Sequence, residues 1–275
     1  MKTLTIARAT ALEAIRQPAF FVLAFLAFIS LLVSIFLPYF TFNEDIKMYK
    51  DTGLTTISFI ALLLALLTSS SSVAEEIEGK TAVTLLSKPI NRRQFIMGKF
   101  LGIMAGVLAM YVVLGFFMAV GTYYKSGYDL LETSGTPEEY AMRSAHVWQI
   151  LPGLVLGFME VTILASISLA ISTRMPMLVN LVVCIAIFFL GHLSQVLVDL
   201  TAPAGAKVNE LVKFMARLFA WALPSLEFFN AGPSISTGLA IPWVGYVLPA
   251  AVYCVMYTSA ALLFAFLLFE NRDVA

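Results

Sequence analysis

The sequence predicts an all-α membrane protein with six transmembrane helices, a helix on the cytoplasmic side after span two, and a broken, re-entrant external segment before span six. Of its 275 residues, 60% are hydrophobic and 12% are charged, about half the charged fraction of soluble domains. A water-soluble core of this size cannot hide so much apolar surface. We therefore expect residues 1–275 to form a single transmembrane domain.

The apolar residues are gathered in six runs, each long enough for a bilayer-crossing helix of about 20 residues. The predicted spans cover residues 19–40, 53–74, 100–123, 150–171, 177–198 and 243–269. Within them only Glu160 and His192 carry an acidic or basic side chain. The two cysteines, Cys184 and Cys254, lie in separate spans, so neither a disulfide nor a metal site is expected.

The basic residues predict the orientation, because they are enriched in cytoplasmic loops. With both termini in the cytoplasm, the inner segments carry a net charge of +4 and the outer segments −3, with Glu160 counted in neither. The inner basic residues are Lys2, Arg8, Arg16, Lys80, Lys88, Arg92, Arg93, Lys99, Arg174 and Arg272. The formal net charge of the chain is zero, which argues against a nucleic-acid partner.

Several segments outside the predicted spans have patterns that predict local structure. Residues 3–17 predict a short interfacial helix leading into span one. In the external segment 125–147, Thr136, Pro137 and Glu139 form a helix-start pattern that predicts a short external helix. Residues 207–219 predict an amphipathic helix on the outer membrane face. Pro224, Gly232, Pro233, Gly238 and Pro242 then interrupt an apolar stretch, which predicts a broken segment packed in protein.

The segment from Glu75 to Gly102 has the clearest local pattern. A charged cluster (Glu75, Glu76, Glu78 and Lys80) precedes a short helix that Pro89 ends. Asn91 caps the next helix, with Gln94 three residues on. That helix places basic residues at the membrane surface before entering span three: Arg92, Arg93 and Lys99. The pattern predicts a short cytoplasmic helix joined rigidly to span three.

Several motifs in and beyond this segment resemble the ABC-2 type permeases, the membrane subunits of one class of ATP-binding-cassette transporter. They are Glu78-Gly79-Lys80-Thr81, Leu85-Leu86-Ser87-Lys88-Pro89-Ile90, the pair Arg92 and Arg93, Phe95, Gly98-Lys99, and Leu223 to Asn230. The resemblance extends over the whole chain and includes the six-span layout. A finer similarity is to single-permease systems that include the nitrous-oxide-reductase maturation transporter.

This resemblance implies that residues near 75–90 form a coupling helix that docks into a separate ATPase subunit. The implied coupling residues are Glu75, Glu76, Glu78, Lys80, Thr81, Leu85, Leu86, Lys88 and Pro89. It further implies an exporter of the cytoplasmic (inner) membrane, in which two copies, or one copy and a related permease, join two ATPase subunits. The chain itself has no phosphate-binding G-x-x-x-x-G-K-[ST] loop, so it is not expected to be an enzyme or to bind a cofactor. ATP and Mg²⁺ belong on the partner.

Small residues and two ionisable residues mark further candidate sites. The stripes Gly98, Gly102 and Gly106, and Gly153 and Gly157, predict close helix packing, within the fold or across a dimer seam, with a substrate path as the alternative. Glu160 is either a proton or cation contact or a neutral packing residue. His192 is expected in a polar cluster with Ser194 and Gln195 rather than in a ligand site.

Two other functions stay open at this stage. One is a non-transporting membrane assembly or structural protein with the same fold. The other is a secondary transporter driven through Glu160, although the inverted repeat typical of such proteins is not evident. The sequence does not define the substrate.

Overall fold

The computed structural model describes residues 2–36, 45–78, 91–133, 139–201 and 210–270. Nine α-helices lie in these ranges. They are α1 (Lys2–Arg16), α2 (Pro18–Phe36), α3 (Asp45–Glu78), α4 (Arg92–Thr133), α5 (Glu139–Ser172), α6 (Met177–Thr201), α7 (Glu210–Ala222), α8 (Gly232–Ser236) and α9 (Leu248–Glu270). A 3-10 turn at Leu226–Phe229 precedes α8, and a π-helical turn at Trp243–Val247 leads into α9. The described part of the chain is therefore all-α.

Five stretches of the described residues are long and apolar enough to cross a bilayer. They are Pro18–Phe36, Ile46–Ser72, Arg92–Gly127, Arg143–Ser172 and Trp243–Phe269. The predicted span 177–198 lies within α6, whose apolar part among the described residues is the shorter stretch Met177–Leu193. The end of the predicted first span, after Phe36, falls outside the described residues.

Three of the predicted boundaries were too narrow. Helix α3 begins at Asp45 rather than at Gly53, because Tyr49 and Lys50 are almost fully buried against the bundle and extend its packed face. The predicted external helix is not separate: α4 runs on to Thr133, and from Glu139 onward α5 continues without a break into the fourth span. Thr136 and Pro137, the predicted start of that helix, lie outside the described residues.

Helix α3 is the centre of the bundle. It contacts α2, α4, α5, α6 and α8, and its side chains supply much of the buried core, including Ile57, Ala61, Leu64 and Ala65. Helices α2, α6 and α9 instead expose many large apolar side chains, such as Phe25, Val182 and Phe264. A bundle embedded in lipid is expected to have exposed apolar side chains on the outside, because lipid solvates them, and close packing within.

Helix α1 packs along α4 and runs parallel to it. Gly98 faces Ile6, Gly102 faces Thr10, and Gly106 faces Ala14, so both helices advance four residues at each contact. The glycine stripe of α4 thus packs within the chain, and α1 is the helix that uses it. A single residue, Gln17, separates the end of α1 from Pro18, the first residue of α2. Proline suits a first helical position because its φ angle is fixed and it has no N–H to leave unbonded.

The segment between α7 and α9 is broken as predicted. The 3-10 turn, α8 and the π-helical turn follow one another within residues 226–247, and Gly238 adopts a φ of +81°, which favours glycine. Leu226, Phe229 and Ile235 are nonetheless almost fully buried. Irregular backbone is thus packed against α3, α5 and α6. Helix α7 keeps Leu211, Val212 and Leu218 exposed, on the apolar face predicted to lie against the membrane surface.

Candidate functional site

A cavity of about 420 Å³ lies between α3, α5, α6 and the broken segment. Helix α3 contributes Leu54, Thr55, Ser58 and Phe59; α5 contributes Gly153, Gly157 and Glu160; α6 contributes Phe188, Phe189 and His192; and the broken segment closes it with Phe229, Asn230, Ala231 and Gly232. The site therefore joins both ionisable residues predicted within the spans to the segment predicted to be broken.

The glycines of α5 bring the wall of the cavity close to its neighbours. A β-carbon at Gly153 would collide with Ile235 of α8 and Leu54 of α3. One at Gly157 would collide with the Ser58 hydroxyl. Like the glycines of α4, Gly153 and Gly157 thus pack against other helices of the same chain. Because they have no side chains, they also expose backbone atoms to the cavity.

Glu160 is the single buried carboxylate among the residues whose burial is described, with 6% of its surface exposed. Its Oε1 lies 3.5 Å from Nε2 of His192, within ion-pair range. The two atoms do not meet in hydrogen-bond geometry, and Oε1 has no hydrogen-bond partner among the described residues. A buried carboxylate oxygen without a donor is costly in an apolar interior.

A hydrogen bond on the other side of the His192 ring holds the ring in place. Nδ1 lies 3.1 Å from the carbonyl oxygen of Phe188. A carbonyl only accepts, so Nδ1 carries the hydrogen of this bond. Nε2 is therefore the ring nitrogen that faces Glu160.

Aromatic rings line the same cavity. Phe188 lies 4.8 Å from the His192 ring and 6.4 Å from Phe59, measured between ring centroids. Phe229 of the broken segment is buried, and Asn230 donates from Nδ2 to the Glu227 carboxylate at 3.1 Å. The cavity thus combines a buried carboxyl group with aromatic rings and, from α3 and α5, hydroxyls and backbone.

The basic residues predicted at the membrane surface lie at one end of the bundle. Arg92 donates to the Phe269 carbonyl oxygen at 3.1 Å, and Arg174 donates to that of Leu268 at 3.1 Å. Lys99 is buried, with Nζ 4.0 Å from a Glu13 carboxylate oxygen. The start of α4, the α5–α6 turn and the end of α9 therefore meet at the same end. Arg93 lines a second, smaller cavity there, of about 330 Å³.

The start of α4 follows the predicted capping pattern. The Asn91 backbone N–H donates to the Gln94 side-chain oxygen, and the Phe95 N–H donates to the Asn91 carbonyl oxygen. Glu75, Glu76 and Glu78 lie in the last turn of α3, where their side chains are not described. The other predicted coupling residues lie outside the described residues: Lys80, Thr81, Leu85, Leu86, Lys88 and Pro89.

Two buried polar clusters join α3 to its neighbours. At the end of α3 away from residues 75–90, Lys50 donates to His146 Nδ1 at 2.9 Å and to Gln149 Oε1 at 2.8 Å, both on α5. At the other end, Asn180 of α6 donates to the Ser70 hydroxyl of α3 at 2.9 Å and to the Ser168 carbonyl oxygen of α5 at 3.1 Å. The serine run from Ser69 to Ser72 indicates hydrogen bonding at this end of α3, but the pairing with Asn180 had no signal beyond one polar residue in an apolar stretch.

These helices define a multi-pass α-helical membrane protein whose bundle contains a cavity with a buried carboxyl group. A family model described as "ABC-2 family transporter protein" matches residues 41–274, which is most of the chain. The chain therefore belongs to the ABC-2 transporter family, a family of membrane transport components, and the resemblance inferred from residues 78–99 and 223–230 is confirmed. A search of curated proteins found no match.

Proposed function

We propose that this chain is the permease subunit of an ABC exporter and that a separate ATPase drives it through residues 75–90. The observation that carries this proposal is the position of that segment. It joins the end of α3, at Glu78, directly to the start of α4, near Arg92. A displacement there acts on both helices together.

Helix α3 is bonded along its length to the helices that would have to move. At the end near residues 75–90, Ser69 shares a hydrogen bond with Ser168 of α5. Farther along, Ser58 accepts from the Tyr111 hydroxyl of α4 at 3.2 Å. At the far end Lys50 holds α5. Polar bonds between membrane helices contribute about 1 kcal/mol each, so together they favour motion of the bundle as connected rigid helices.

We further propose that the end bearing Arg92 and Arg174 faces the cytoplasm. Both arginines lie at the end of the bundle where α3 ends, at Glu78. Basic residues are enriched on the cytoplasmic side of membrane proteins. The protein would then lie in the inner membrane with six spans, α6 being one of them, and with both termini inside. Two copies, or one copy with a related permease, would join two ATPase subunits that bind ATP and Mg²⁺.

Co-expression with an ABC ATPase from the same genome tests the proposal. The purified chain should retain the ATPase, and reversing the charges of Glu75, Glu76 and Glu78 to lysine should weaken the association at least about tenfold, as close interfacial charge pairs do. Glu210→Lys on α7 is the matched control, since that side chain is 88% exposed and far along the chain. If the wild-type chain retains no ATPase, the proposal is wrong.

Labelling tests the orientation separately. A membrane-impermeant amine reagent should leave Lys80 and Lys88 unmodified in intact cells and modify them in inverted vesicles. Modification of either lysine from outside would place the coupling segment on the wrong side of the membrane.

A further inference from the structure

We infer that the cavity at Glu160 is a binding site for a small organic cation with an apolar body, such as an aryl or alkyl ammonium ion. The inference deepens the proposed function, since it names the class of substrate that the permease would accept. It rests on the contents of the cavity: a buried carboxyl group whose Oε1 accepts no hydrogen bond, a second acidic residue nearby, and several aromatic rings.

The charge of the site favours a cation. Glu160 presents Oε1 without a hydrogen-bond donor, and Glu227 of the broken segment lies within electrostatic range of it. From α4 the neutral phenol of Tyr111 faces the same region, and from α6 comes His192. Helix α3 lines the cavity with Thr55 and Ser58, which are uncharged. An anion would meet two carboxyl groups, whereas a cation would gain a counter-ion in a medium that screens little.

The shape of the site favours an organic cation over a metal ion. No group of three His, Cys, Asp or Glu side chains suited to a metal occurs among the described residues. The volume of about 420 Å³ is within the range of small-molecule sites. Phe59, Phe188 and Phe229 line it, and the ring faces of phenylalanine attract ammonium groups. Phe189, also in the lining, is 60% exposed, so the wall formed by α6 is not sealed.

Another cavity in the bundle offers a contrast. The groove between α4 and α5, of about 550 Å³, is lined by apolar residues and by Tyr111 and Trp148, and contains no acidic or basic side chain. It is larger but gives a cation no counter-ion. A cavity between α2 and α3 also has an acidic side chain, Asp51, but only one ring, Phe59, in its lining. Among the cavities described, the Glu160 cavity combines a buried carboxyl group with several rings.

The test uses the purified full-length chain in detergent, without ATPase. The probe is phenyltrimethylammonium, and its uncharged control is tert-butylbenzene, which has the same shape with carbon in place of nitrogen. Wild-type protein should bind the cation at least about tenfold more tightly than the uncharged isostere, a ratio typical of one desolvated charge contact. Glu160→Gln should abolish that preference while leaving isostere binding unchanged, and Glu160→Asp should keep part of it.

Two results would overturn the inference: equal affinity of wild-type protein for the cation and the isostere, or undiminished cation binding by Glu160→Gln. If Glu160→Gln does not fold, the comparison of the cation with its isostere on wild-type protein decides. A preference of at least about tenfold for the cation supports the inference, and equal affinity overturns it. Because no ATPase is present, failure here leaves the permease assignment intact, and failure to retain an ATPase leaves cation binding intact.

Discussion

Replacing Gly102 by alanine should loosen α1 from α4. A β-carbon built on Gly102 would lie 2.6 Å from the carbonyl oxygen of Ala7, where an ordinary contact begins at 3.4 Å. The difference, about 0.8 Å, must come from a shift of α1, because a backbone carbonyl cannot rotate away as a side chain can. Overpacking of this kind costs about 1–3 kcal/mol.

The matched control is Gly115→Ala on the same helix. Its β-carbon would meet only the Leu154 side chain, nearest at 3.1 Å, which can give way. Both substitutions gain about the same helix propensity, up to about 1 kcal/mol, so the difference between the two variants isolates the clash. We expect Gly102→Ala to be less stable than Gly115→Ala by about 1–3 kcal/mol.

Denaturant titration of both purified variants in detergent, followed by far-ultraviolet circular dichroism, measures that difference. Hydrogen exchange provides a local readout, since amides of α1 should exchange faster in Gly102→Ala and not in Gly115→Ala. If the two variants agree within about 0.5 kcal/mol, the uncertainty typical of such comparisons, and α1 is equally protected in both, the close packing deduced for α1 and α4 is wrong.

Two further substitutions test the buried polar clusters. Asn180→Leu removes the bonds to Ser70 and Ser168 and should lower the free energy of unfolding by about 1–2 kcal/mol; an unchanged midpoint in the same denaturant titration would mean that this cluster does not hold α6. Lys50→Met leaves His146 and Gln149 without their shared donor and should cost about 1–3 kcal/mol, whereas Lys213→Met, which breaks an exposed pair on α7, should stay near wild type. Equal stability of the two lysine variants would contradict the structural role given to Lys50.

Local patterns predicted the helices and the broken segment well. Long apolar runs predict membrane helices because a segment in lipid must hydrogen-bond its own backbone N–H and C=O groups, which a helix does. Clustered prolines and glycines indicate where a helix is interrupted. The capping pattern at Asn91 and Gln94 predicted the start of α4 correctly. The prediction placed the start of α3 too late because a charged residue such as Lys50 is typical of a loop. Its burial depends on hydrogen bonds to His146 and Gln149, which the local sequence does not indicate.

Pairings between distant helices were the harder part. The glycine stripe of α4 predicted a close neighbour but not its identity, although Thr10 and Ala14 on α1 repeat at the same spacing. Glu160 and His192 were treated separately, and His192 was assigned to a cluster with Ser194 and Gln195, whose side chains are not described. Periodicity reports which face of a helix is buried, but it does not report which residue lies opposite.

The length of α3 has a mechanical consequence. Its 34 residues extend about 50 Å at 1.5 Å per residue, well beyond a hydrocarbon layer of about 30 Å. If the Lys50 contacts serve as a fulcrum, Glu78 lies about 42 Å down the lever arm and Ser58 about 12 Å. A tilt of about 5° then swings Glu78 by about 4 Å but Ser58 by only about 1 Å. In the proposed mechanism, a large displacement at one end of α3 thus becomes a small one beside Glu160 while the surrounding bundle stays assembled.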